Sequence, residues 1–204
     1  MQTIVLATGN KHKLKEFREM LPDYNIITMQ DVGFSGDIVE DGDTFMANSY
    51  IKASTIMQYL QGKRLDYWVM ADDSGICCDV LEGKPGIYSA RYAGLNATDE
   101  DNRQKLLTDM KDKDDRSAYF SCVIVCIRQD GKCVVGEGRT MGEVLKEYRG
   151  DTSFGYDCIF YSHDLGKSFG EASPDEKNSV SHRKRAIVDV LKNIEDDRWR
   201  VKKC

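Results

Sequence analysis

The sequence predicts an α/β protein with a mixed β-sheet, on three observations. Short β-branched apolar runs alternate with helical patterns along the first half of the chain. An Asp130-Gly131 turn signal joins two strand-like runs in the middle. One more short strand and a long helix close the chain. Alternation of strands and helices gives a layered sheet, and the hairpin adds an antiparallel part.

The elements follow in order. Thr3–Ala7 is a buried strand that stops at the turn signal Thr8-Gly9-Asn10. A helix follows, with Leu14, Phe17, Met20 and Leu21 at helical spacing, and Pro22 ends it. Tyr24–Met29 reads as a second strand, and a loop rich in Gly and Asp runs to Asp43. Thr44–Leu60 is a long helix capped by Asp43 or Thr44. Trp68–Ala71 is a strand that leads into an Asp72-Asp73-Ser74-Gly75 turn, and Cys77–Leu81 is another short apolar run. Residues 83–94, with Pro85 and several glycines, form a structured loop. Asp99–Met110 is a helix capped by Thr98 or Asp99. Ala118–Arg128 and Lys132–Thr140 make the hairpin, Ile159–Tyr161 is a short strand, and Ser181–Ile194 is the closing helix. With no repeat, low-complexity tract or linker, residues 1–204 read as a single domain.

Composition narrows the function classes. Apolar residues make up 41% of the 204 residues and charged residues 31%, as in ordinary globular proteins. A formal net charge of -5 argues against a general nucleic-acid or membrane-surface binder, which needs a broad basic patch. The seven cysteines, Cys77, Cys78, Cys122, Cys126, Cys133, Cys158 and Cys204, include no Cys-x-x-Cys pair, so a zinc site is unsupported. Their odd number, without a disulfide framework, points to a reducing, cytoplasmic compartment. The first residues do not read as a signal peptide, and no run of about 18 apolar residues suggests a membrane span.

Five segments carry candidate chemistry. Thr8-Gly9-Asn10 opens a helix whose first residues are Lys11, His12 and Lys13. Cations at a helix start are disfavoured by about 0.3–1 kcal/mol, and a bound phosphate would reverse the sign. An ordinary capped helix with solvated lysines is the plain alternative. Ser181, followed by His182, Arg183, Lys184 and Arg185, repeats the anomaly, unless Asp175 and Glu176 neutralise it. Glu40, Asp41 and Asp43 precede a helix, while Asp72 and Asp73 follow a strand; carboxylates from two such edges can share a Mg²⁺ with substrate phosphates. Phe45, Asn48 and Lys52 share one helix face, which suits either a site wall or a half-buried boundary. In Ser153-Phe154-Gly155-Tyr156-Asp157 the glycine permits close backbone approach, and an aromatic ring there can stack on a base or simply join the core.

Taken in order, these segments resemble the inosine triphosphate pyrophosphatase family. ATGNKHKLKEF resembles its phosphate-binding start, and EDGDTFMANSYIKA its metal-binding loop and helix. ADDSGI resembles its catalytic turn, GKPGIYSARYAG the loop after it, and SFGYDCIF and SHRKRAI its base-binding segments. The resemblance implies hydrolysis of non-standard purine nucleoside triphosphates (ITP, dITP and XTP) to the monophosphate and pyrophosphate. By position, it implies that Thr8, Gly9, Asn10, Lys11, His12 and Lys13 hold the triphosphate, with Lys52 in support. It implies that Glu40 and Asp73 bind Mg²⁺, that Asp73 is the catalytic carboxylate and that Ser74 touches substrate. Phe154, Gly155, Tyr156 and Asp157, with Lys177, His182 and Arg183, would receive the base. An elongated α/β fold with a central mixed sheet, two lobes around a substrate cleft and a homodimer belong to the same implication. Two departures from the family pattern are small: Cys158 replaces a usual proline, and Ser49 stands where alanine is common. A pyrophosphatase of modified pyrimidine nucleotides on a similar scaffold, and a non-catalytic nucleotide-binding module, are the rival readings.

Overall fold

The computed structural model describes residues 1–63 and 67–201; Cys204 of the cysteine inventory lies outside them. The chain divides into two compact units. One comprises Met1–Asp73, Val123–Glu137 and Ala186–Cys204, the other Ser74–Cys122 and Gly138–Arg185. The strands hydrogen-bond in the order β2-β1-β3-β4-β5-β6-β7, with β8 on β5: Thr3–Leu6 (β1), Asn25–Thr28 (β2), Tyr67–Cys78 (β3), Ser117–Arg128 (β4), Lys132–Val144 (β5), Phe160–Ser162 (β6), Lys167–Ser168 (β7) and Arg200–Val201 (β8). The sheet is mixed, as expected: β1 runs parallel to β2 and to β3, whereas β6 runs antiparallel to β5 and β7.

In the first unit, β1 contributes Ile4, Val5 and Leu6, all fully buried. A strand with parallel neighbours on both sides is covered on both faces, which explains its unbroken apolar run. Lys11–Met20 (α1) and Phe45–Tyr59 (α2) supply helices, and Ala53, Ile56 and Leu60 of the α2 segment pack with Val5, Val69 and Val125. Thr44 caps α2 by accepting from the Ala47 N–H at 3.0 Å. Ser49, where the family commonly has alanine, donates its hydroxyl to the Val123 carbonyl at 2.7 Å, so this buried oxygen is satisfied. Gly136 lets the chain pass under a helix: a Cβ there would lie 2.4 Å from the Ala186 carbonyl.

In the second unit, Ile76, Cys78, Leu106, Met110, Phe120, Phe160 and Phe169 form the core. Its helices are Asp99–Asp109 (α3) and Pro174–Val180 (α4), and His182–Glu195 (α5) begins there. Thr98 closes a capping box with Asp101, and Ser173 closes another with Glu176, with Pro174 opening the helix.

Three expectations change. Asp72-Asp73-Ser74-Gly75 is not a turn: it lies inside β3, an unbroken twelve-residue strand. Local propensity disfavours Asp and Gly in strands, yet pairing decides: β3 lies between β1, which aligns with Tyr67–Met70 only, and β4, and Ser89 receives the Ile76 N–H while donating to the Gly86 carbonyl. The run expected over Cys77–Leu81 ends as a 3-10 turn at Asp79–Leu81. Among the described cysteines, Cys77, Cys78, Cys122, Cys126 and Cys158 are free and buried, but Cys133 is disulfide-bonded, against the expectation of a chain without disulfides. Among the described residues, no helix is long and apolar enough to cross a membrane.

Candidate active site

The strongest constellation lies in the first unit. Strand β1 ends at Leu6, and the chain turns through Thr8 and Asn10 into α1. Thr8 accepts the Asn10 N–H at 3.1 Å, and Asn10 accepts the N–H groups of His12 and Lys13 at 2.9 and 3.1 Å. The expected phosphate cradle is therefore partly closed by its own cap, so an anion there must displace or supplement Asn10. Lys11 and His12 are exposed. Lys13 reaches back to β3, where its ammonium lies 3.0 Å from buried Asp72.

Helix α2 supplies the other half. Lys52, only 8% exposed, places its ammonium 2.6 Å from Glu40 and 3.8 Å from Asp73. Asn48, one turn earlier and 1% exposed, donates to Asp73 at 3.1 Å and accepts the Gly42 N–H at 2.9 Å. Its carboxamide thus ties the acidic loop to the strand. Gly42 permits the approach, because a Cβ there would sit 2.8 Å from the Asn48 oxygen. Successive strand residues point to opposite sides, so Asp72 meets α1 while Asp73 meets α2. Asp41 and Asp43, candidates on spacing, are exposed.

Burial pushes the Asp73 carboxyl above the usual aspartate range. The ammonium groups of Lys52 and Lys13 and the Asn48 hydrogen bond pull it back, and Glu40 pushes it up again. Desolvation outweighs two nearby cations, which makes Asp73 a stronger base than a surface aspartate.

Glu40 and Asp73 offer hard carboxylate oxygens around a point now held by an ammonium, which suits a cation that needs oxygen ligands. Among the described residues no group of three or more His, Cys, Asp or Glu could hold a metal by protein ligands alone. Mg²⁺ fits such a pair, since it takes one or two carboxylates and completes its shell with water and phosphate.

The second unit gathers the remaining candidates. Arg183, 1% exposed at the start of α5, donates to the Ser74 hydroxyl at 2.9 Å. His182 stacks on Phe120 with ring centroids 4.8 Å apart. Lys177, on α4, pairs with Asp157 at 2.5 Å, and its ammonium lies 4.7 Å above the Phe154 ring. Tyr156 behaves differently. Its ring joins the core and its hydroxyl donates to the Ser89 carbonyl at 2.7 Å, so the side chain is no stacking surface. Gly155, at φ 50°, is held by two residues that sequence reasoning missed. Asp99 accepts its N–H at 2.8 Å, and Arg103 donates to its carbonyl at 2.6 Å. No spacing rule links α3 to a loop more than fifty residues away.

Residues 4–193 match the model of the Ham1 family. The chain belongs to the Ham1 family. Ham1-family relatives resemble it along nearly their whole length. The dITP/XTP pyrophosphatase of Clostridium perfringens (strain 13 / Type A) is 44% identical over 199 residues, which is 95% of this chain and 98% of that protein. The dITP/XTP pyrophosphatase of Sulfurovum sp. (strain NBC37-1) is 46% identical over 202 residues, 94% of this chain and 96% of that one. Among solved structures, the Ham1 protein of Staphylococcus aureus superposes with a TM-score of 0.84 at 37% identity, covering 96% of this chain and 100% of that one. The nucleoside-triphosphatase / dITP/XTP pyrophosphatase of Mycobacterium abscessus gives 0.72 at 33% identity, covering 93% and 99%.

Proposed function

We propose that this chain hydrolyses non-standard purine nucleoside triphosphates (ITP, dITP and XTP) to the nucleoside monophosphate and pyrophosphate, with Mg²⁺ as its metal. The observation that carries this reading is a cluster of two lysines and three carboxylates, in which Lys52, Asp72 and Asp73 are buried and Lys13 and Glu40 are half-buried. Lys13 lies against Asp72, and Lys52 against Glu40 and Asp73. Without ligand, the ammonium groups neutralise the acids. When a triphosphate and its cation bind, the ammonium groups can turn to phosphate oxygens, leaving Glu40 and Asp73 to the cation. Such partner exchange lets one buried site accept both signs of charge without a bare ion at either stage.

Glu40 and Asp73 would hold the Mg²⁺, which would supply charge neutralisation on the phosphates and activation of the attacking water. Asp73, its proton affinity raised by burial, accepts the proton of the attacking water. The water oxygen bonds to the α-phosphorus, the bridging bond to the β-phosphate breaks, and pyrophosphate leaves. Lys13 and Lys52 stabilise charge on that leaving group. Thr8 and Asn10 shape the adjoining turn.

Base recognition falls to the second unit. Lys177 and Arg183 offer donors only. A purine 6-keto oxygen accepts from them, and a 6-amino group does not. A buried donor left unpaired costs about 1–3 kcal/mol, one to two decades of discrimination against ATP. Phe154 supplies a ring for stacking. Residues 1–204 act as one functional domain, a reading supported by the single family match over residues 4–193. A homodimer, implied by the resemblance, and a cytoplasmic location, read from the cysteine count and the lack of a signal-peptide pattern, complete the proposal; the bonded Cys133 counts against the second.

The test is a nucleotide panel with product identification. ITP, dITP and XTP should release pyrophosphate only with Mg²⁺, and ATP and methylated pyrimidine triphosphates much less. Asp73→Asn should lose most turnover while keeping nucleotide binding. Orthophosphate as the product, or equal rates on pyrimidine nucleotides, would overturn the reading.

A further inference from the structure

We propose that Asp99 and Arg103, on α3, are positioning residues for base discrimination, although neither belongs to the segments assigned to substrate. The proposal rests on the reading of Phe154–Asp157 and Lys177 as the base-recognition segment.

The geometry is a clamp. Gly155 joins two peptide groups, and α3 holds both. Its N–H, in the peptide that follows Phe154, donates to Asp99 Oδ2 at 2.8 Å. Its carbonyl, in the peptide that precedes Tyr156, accepts from Arg103 Nη1 at 2.6 Å. The residue sits at φ 50°, where glycine is favoured, so the chain bends sharply here and the Phe154 ring direction depends on both peptide planes. That ring lies under the Lys177 ammonium, and Lys177 is in turn paired with Asp157. A tilt of either peptide moves the aromatic surface relative to the donor meant for the 6-keto oxygen.

The clamp is stiff. Arg103 is 4% exposed. A second arm of its guanidinium reaches Glu100 at 3.0 Å, and its central carbon lies 5.7 Å from the Tyr148 ring centre. Glu100 also accepts from Gln104 and from the Tyr148 hydroxyl, both at 2.9 Å. Helix α3 is anchored by fully buried Leu106 and by the Thr98–Asp101 capping box. A buried arginine held by its neighbours on α3 spends its remaining reach on one loop carbonyl. That makes a rigid lever for the loop, and a site held within a fraction of an ångström needs such support.

Arg103→Met and Arg103→Lys, with Asp99→Asn, test the assignment. Three readouts separate positioning from general damage: kcat and KM for ITP, the ratio of kcat/KM for ITP to that for ATP, and inhibition by inorganic tripolyphosphate, which carries no base. Loss of one charge-assisted bond shifts an equilibrium by about tenfold or more. Arg103→Met should therefore raise KM for ITP and shrink the ITP/ATP ratio by about tenfold each. Tripolyphosphate inhibition should stay within about twofold. Arg103→Lys, which keeps one donor, should fall between Met and wild type, and it carries the test if the Met variant does not fold. An unchanged ITP/ATP ratio in both arginine variants overturns the proposal. So does a parallel loss of tripolyphosphate binding, which would mark a merely structural role. If the unaltered protein itself fails to discriminate between ITP and ATP, the base-site reading fails instead.

Discussion

Asn48 gives the sharpest test of the catalytic geometry. Its carboxamide is 1% exposed and makes two bonds, donating to Asp73 and accepting from the Gly42 N–H. Asn48→Ala removes both. A bond to a charged group contributes about 1.5–3 kcal/mol and a neutral one about 0.5–1.5, so the loss should be about 2–4.5 kcal/mol. For a chain of 204 residues that is a fall in melting temperature of roughly 5–15 °C. Asn48→Asp is the informative partner. It can still accept from Gly42 but presents a like charge to Asp73, and two adjacent carboxylates cannot both ionise readily. Its kcat for ITP should fall by at least about a hundredfold. Thermal unfolding and steady-state pyrophosphate release measure the two quantities. An Asn48→Asp enzyme that turns over at the wild-type rate would refute the claim that this amide orients the base.

Two further predictions concern the scaffold. Gly75→Ala would place a methyl 2.3 Å from the Gly86 carbonyl and 2.4 Å from the Ser89 hydroxyl. Because the first of these is backbone, the overpacking should cost about 1–3 kcal/mol or more, and an unchanged melting temperature would contradict the strand geometry. Acid stability should depend on Glu176, whose carboxyl is held down to about 2 by the Lys167 ammonium first and then by the Ser173 N–H and hydroxyl. A depressed carboxylate contributes stability above its unfolded value of 4.5, lost as pH falls through 4.5 towards 2. Glu176→Gln should flatten the melting-temperature profile over that window, and a profile of identical slope would remove the residue from the acid response.

The fold was legible wherever local chemistry and pairing agree. Thr3–Leu6, the capped helix after Thr44 and the Asp130-Gly131 hairpin carry period, cap and turn signals that point one way. Strand β3 departs from its sequence signal because Asp, Ser and Gly have the composition of a turn, whereas its neighbouring strands and the contacts around Gly75 keep it extended. Helix α4 was overlooked although Ser173-Pro174 with Glu176 three residues after the cap is a helix-start signature. Seven residues give too little periodicity to register. The Asp99–Arg103 grip on Gly155 was not legible, since nothing in a single sequence marks a contact between residues 103 and 155.

The two basic helix openings are largely neutralised within the fold. On sequence, Lys13 and Arg183 argue for a bound polyanion because cations at a helix start are disfavoured. In the structure much of that anomaly is met internally: Lys13 pairs with Asp72, and Arg183 donates to Ser74. Both cations are thus met inside the fold, Lys13 by a carboxylate and Arg183 by a hydroxyl, so the helix-start effect of about 0.3–1 kcal/mol no longer demands an external anion. The case for polyphosphate chemistry rests most heavily on Lys52, Glu40 and Asp73, with Lys13 acting on the same Asp73 carboxyl. There an ammonium is buried between two acids, and one of those acids is pushed towards its neutral form by burial despite that cation. A fold that needed only stability would do as well with apolar groups at that point. Keeping three charges there is the costly choice, and it makes sense if their partners are exchanged when substrate arrives.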